Sequence, residues 1–162
     1  MLMVTSGVAA SLCYLAATGL QLQRMLKGSG TDGWVKLLAA LAIILHGFTA
    51  YKGFINTSGY DLGIYPMLSL MSLSIGAIVL ISSLRRPVDN LFVFVFPLAI
   101  STIILQIVLK GDYTPLQDIT GGIFSHIALS VIAYSLLTIA AAQALLLSFG
   151  ENMLRHHRIF IM

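Results

Sequence analysis

Five long apolar runs, separated by short polar loops, constrain this chain more than any other feature. They cover residues 3–23, 35–54, 64–84, 91–109 and 121–149. A helix needs about 20 consecutive apolar residues to cross the hydrocarbon core of a bilayer, and each run is about that long. Backbone amides have no water to bond in that core, so runs of this kind cross it as helices. Only 9% of the 162 residues are charged, 58% are hydrophobic, and the mean hydropathy is +0.95. Six acids and nine bases cannot cover a water-facing surface, since a soluble domain carries about 25% charged residues. The expected fold is therefore all-α, a single polytopic membrane domain over residues 1–162 with five transmembrane helices and the lipid bilayer as its first partner. The first run lacks a basic start and a cleavage site of small residues, so it is read as a helix and not as a secretion signal.

The basic residues set the orientation. Arg24, Lys27, Lys36, Arg85, Arg86, Arg155 and Arg158 flank one side, while only Lys52 and Lys110 fall on the other. Basic residues collect on the cytoplasmic side. The N-terminus is thus outside and the C-terminus cytoplasmic. The net charge of +3 is spread over these loops, so no nucleic-acid-binding face is expected. Cys13 is the single cysteine and lies inside an apolar run, which leaves no disulfide framework. GSGTDGW (28–34) is rich in glycine but follows no strand, and reads as a turn. With no nucleophilic triad and no phosphate loop, the chain is not expected to be an enzyme.

Few strongly polar side chains remain within the runs: His46, His126, Gln21, Gln106 and Gln143. Such groups are costly at membrane depth and usually face protein. At 3.6 residues per turn, Ala39, Ala42, Ala50 and Gly53 share a stripe with His46, and Ser130 and Ala133 share one with His126. Tyr134 lies about 80° from that second stripe. His46 is about 12 Å and His126 about 8 Å from the outer helix ends. Two imidazoles at similar depth can serve one haem iron, two separate sites, or ordinary contacts between helices. The residues leave these readings open. Gln106 and Gln143 are expected to make interhelical hydrogen bonds, and Gln21 to reach water at the inner surface. His156 and His157 read as part of a solvated basic tail. Pro97 is expected to kink the fourth helix. A transporter is disfavoured by the lack of intramembrane carboxylates and of an inverted repeat.

The segments LHGFTAYKGFINTSGYDLGIYPMLSLMSLSIGAIVLI (45–81) and GGIFSHIALSVIAYSLLTIAAAQALLL (121–147) resemble the cytochrome c assembly family, in its short HemX/YpjD-like branch. The most specific piece is the H-x3-S-x3-Y pattern of His126, Ser130 and Tyr134. The likeness covers the N-terminal five-helix portion of such proteins, which usually continue with further helices. It implies haem binding or handling in a bacterial inner membrane, associated with cytochrome c biogenesis. By that resemblance His46 and His126 would be the cofactor-binding residues, with haem iron as the metal and Ser130 and Tyr134 orienting an imidazole. Cytochrome c maturation proteins or apocytochrome c would be the protein partners. The sequence has one tryptophan, Trp34, on the inner side, so the tryptophan-rich outer loop of haem-presenting members is missing. A structural or regulatory subunit without cofactor, linked to control of haem synthesis, is the alternative.

Overall fold

A computed structural model describes residues 1–27, 32–56, 59–109 and 116–159. It has five helices: α1 (Leu2–Lys27), α2 (Asp32–Phe54), α3 (Ile64–Ser83), α4 (Phe92–Val108) and α5 (Gly121–Ile159). All five are long and apolar enough to cross a membrane. The expected all-α, five-span architecture is present. Much of GSGTDGW falls outside the described residues, as does Lys110.

Helices α1 to α4 close a ring, because α1 packs against α2 and α4, and α3 packs against α2 and α4. Small residues make this closeness possible. Gly7, Ala10, Tyr14, Ala17 and Gln21 form the buried stripe of α1, a spacing of three and four residues that keeps one face towards the neighbours. A Cβ on Gly7 would stand 2.5 Å from Ile107 Cδ1 and 3.1 Å from Ile103 Cγ2. With glycine there α1 approaches α4 closely, and any larger residue would require Ile107 to move and Ile103 to give way. Helix α5 lies outside the ring and packs on α3. Ser135 marks that seam by donating a hydrogen bond to the carbonyl of Met71 at 3.3 Å.

The helix ends follow local chemistry. Pro66 is the third residue of α3, where a first-turn amide has no intrahelical partner to lose. Asp61 precedes it and accepts a hydrogen bond from the amide of Gly63 at 2.8 Å. Pro97 lies inside α4, which runs on unbroken to Val108. Ser101 donates to the Pro97 carbonyl at 2.9 Å.

Two features differ from the sequence expectation. Helix α5 continues to Ile159, through the segment read as a tail. The side chains of His156 and His157 lie outside the described residues. A small outer cap also forms. Strands β1 (Ile55–Asn56) and β2 (Gly59–Tyr60) pair antiparallel, and Tyr60 bridges to Leu116 through amide–carbonyl bonds of 2.8 and 3.0 Å. Gly59 has φ +124°, and a Cβ there would run into the Leu116 carbonyl. Two-residue strands carry no periodicity, so pattern reasoning passes over them.

Candidate functional site

The outer half of the ring holds a buried polar network centred on His46, which is completely buried. Helix α1 contributes Tyr14, whose hydroxyl lies 3.3 Å from His46 Nδ1. Helix α3 contributes Ser69, whose Oγ lies 3.0 Å from Nε2. A neutral imidazole offers one donor and one acceptor, and the network supplies a partner for each. One turn towards the outside, Thr49 and Ser6 share a hydrogen bond of 2.8 Å, joining α2 to α1. One turn inward along α3, Ser72 and Thr102 share one of 2.5 Å, joining α3 to α4.

Aromatic rings close the network from below. The Tyr14 ring stands edge-on to His46 at 5.9 Å and is tilted against Phe96 at 5.1 Å. Phe96 stacks on Phe92 at 4.7 Å, within the 4.5–7 Å range favoured by aromatic pairs. A Cβ on Gly76 would sit 3.7 Å from the Tyr14 hydroxyl, in ordinary van der Waals contact. The inner half of the ring packs Ala17, Val35, Val79, Leu91 and Phe92 into an apolar core and also buries Gln21 and Ser83.

His126 is placed differently. It is exposed near the outer end of α5, with Ser130 half-buried and Tyr134 exposed. Among the described residues it has no hydrogen-bond partner, and neither Ser130 nor Tyr134 is bonded to it. Phe124, Ile127, Ala128 and Val131 of α5 line an apolar groove of about 540 Å³ against Tyr51, Phe54, Leu70 and Ser74. At 100° per residue, His126 lies about half a turn away from that groove. The similar depths of the two histidines therefore do not bring them to one site: His46 faces the centre of the ring and His126 the outside of α5.

A haem ligand needs an imidazole nitrogen free for iron and open space beside the ring. His126 meets both conditions. His46 meets neither, with both nitrogens engaged and the ring enclosed by Tyr14, Ser69 and the helices around them. Among the described residues no group of three or more His, Cys, Asp or Glu is gathered for another metal.

The glutamines depart from expectation as well. Gln106 is buried beside Gly53, and neither of its amide atoms has a hydrogen-bond partner among the described residues. Gln143 is exposed on α5. Gln21 is only 2% exposed, its Oε1 has no partner among the described residues, and it lines a polar cavity at the inner end of the ring. Sequence reasoning missed Tyr14 and Ser69. Their signal was a hydroxyl on a stripe of small residues, Tyr14 in α1 (Gly7, Ala10, Ala17) and Ser69 beside Ser72 and Gly76 in α3.

No family model matches the chain, and no solved structure matches it. It is similar to the inner membrane protein YpjD of Escherichia coli K12, with 26% identity over 155 residues. The YpjD proteins of strains O6:H1 and O157:H7 give the same figures. The match covers 93% of this chain and 58% of those relatives, so the chain spans little more than half of their length. Five membrane-crossing helices and this likeness identify a multi-pass protein of the inner membrane.

Proposed function

We propose that this chain handles haem in the inner membrane, in association with cytochrome c assembly, and that His126 supplies an axial ligand near the outer surface. The observation that carries the reading is an exposed imidazole without a hydrogen-bond partner among the described residues, close to the outer end of α5. Its support from sequence is the H-x3-S-x3-Y pattern in the order of helices shared with the cytochrome c assembly family. Haem would supply the iron; the chain supplies a nitrogen donor and an apolar flank of Ile123 and Leu129, both exposed. Ser130, one turn inward on the same face, is within reach to orient the imidazole. Apocytochrome c or other maturation proteins would meet this face from outside. His46 holds the ring that α5 leans on, and its partners keep it from the iron.

The test is haem content after purification from haem-replete membranes. His126→Gly should lose the bound haem, and added imidazole should restore it by filling the vacated space. Haem retention in His126→Gly, or loss without recovery in imidazole, would sink the assignment. A second reading is favoured by the saturated bonding of His46: a structural or regulatory subunit without cofactor, linked to control of haem synthesis. It predicts no haem in the wild-type protein.

A further inference from the structure

Helix α5 carries a second seam, away from the one it makes with α3. Leu129, Ala133, Leu136, Ala140, Gln143 and Leu147 follow one another at alternating spacings of four and three residues, and all six are exposed. They lie about 80° to 160° round the helix from Ser135, which marks the contact with α3. Two positions in every seven is the spacing that keeps one stripe of a helix turned towards a second helix as the two wind round each other. Alanine beside leucine lets the backbones come close, as in other contacts between membrane helices.

Gln143 is the member of this stripe that lipid does not explain. Ser135 donates to the carbonyl of Met71, and α3 and α5 both run inward. Eight residues further along each, Gln143 is level with Val79, one turn short of the end of α3 at Ser83. Glu151, the first charged residue beyond the span, is about 12 Å further in. The Cα–Cβ bonds of a helix tilt towards its N-terminus, so this side chain starts out towards the bilayer centre and not towards the cytoplasmic headgroups. Among the described residues its amide has no hydrogen-bond partner. A strongly polar group at such depth usually faces protein.

The same residue selects the occupant. A side-chain amide has N–H donors and a carbonyl acceptor, so it is complementary to another copy of itself. A second copy of this chain lies in the membrane with the same orientation, which sets its α5 parallel to the first and its Gln143 at the same depth. Each residue of the stripe then meets its own counterpart across a twofold axis, the commonest symmetry of homo-oligomers. One polar residue in an otherwise apolar seam also fixes register and the number of helices.

We propose that two copies of this chain pair in parallel along this stripe of α5, with their Gln143 amides hydrogen-bonded to each other. The pairing does not rest on the haem reading. Where that reading holds, His126, one step further out on the stripe, comes from both copies to the outer end of the seam, and a haem iron takes one or two axial side chains.

Cysteine crosslinking in membranes from haem-deficient cells reads the seam apart from any haem, after Cys13→Ser removes the one native cysteine. Leu129→Cys and Leu136→Cys should give disulfide-linked dimers. Leu137→Cys is at least as exposed, with Leu137 at 65% against 52% for Leu136, but is rotated by about 100° and should give far fewer. Gln143→Leu should raise the dissociation constant of the pair about three- to tenfold, read by energy transfer between labelled copies in bilayers. The mass of the wild-type protein by native mass spectrometry needs no variant and should be that of a dimer. A monomeric wild type overturns the proposal. So does equal crosslinking at Leu136→Cys and Leu137→Cys, which means random collision, or crosslinking of the stripe only to a different membrane protein.

Discussion

His46 and His126 lie at similar depth in one membrane protein and belong to opposite environments. The ring of α1 to α4 surrounds His46 with partners from two other helices. Among the described residues helix α5 packs chiefly on α3 and leaves His126 open. What separates them is the face each occupies. His46 shares its stripe with Ala39, Ala42 and Ala50, all fully buried, because small residues let three helices close over it. His126 sits on the side of α5 turned away from α3, the main neighbour of α5 among the described residues.

The contrast breaks first at the glycines. Gly7→Val should lose about 1–3 kcal/mol of stability, because the branched side chain meets Ile107, Ile103 and Thr49, the last two β-branched and restricted at χ1. Gly122→Val on α5 has nothing within 4 Å to meet and should change stability by less than about 0.5 kcal/mol. Thermal unfolding in detergent would compare them.

An effect of similar size is expected at the histidines themselves. His46→Leu leaves the Tyr14 hydroxyl buried without a partner, at a cost of about 1–3 kcal/mol. Adding Tyr14→Phe removes that stranded group and should recover part of the loss; interhelical polar couplings in membranes average about 0.6 kcal/mol and reach about 1.7. A double-mutant cycle reads the coupling, and a zero value would mean that the 3.3 Å contact carries no energy. His126→Leu should be close to neutral for stability.

The smallest shift has the opposite sign. Gln106→Leu removes two buried polar atoms that have no partners among the described residues, so it should be neutral or stabilise by about 1 kcal/mol. A clear loss of stability would show that the amide has a bonding role after all.

Much of the ring was legible in the sequence. Apolar length located the five helices to within a few residues at most ends, and the stripe of alanines marked the buried face of α2. The extension of α5 was missed because charge rules describe where a membrane ends, whereas a helix continues wherever its backbone bonds continue. The partners of His46 were missed because they come from other helices. Tyr14 and Ser69 lie 32 and 23 residues from it, and periodicity within one helix says nothing about which stripe meets which. Depth was a poor guide to proximity for the same reason: it fixes one coordinate, and the rotation of each helix fixes the other.

The central claim is that the buried histidine builds the fold and the exposed one meets haem. Soret absorption per mole of folded protein, recorded for His46→Leu and His126→Leu beside the wild type, tests it most directly. The account predicts that His126→Leu abolishes the band with stability unchanged, whereas His46→Leu is less stable but keeps the band in its folded fraction. Loss of the band in folded His46→Leu, with His126→Leu still loaded, would contradict it.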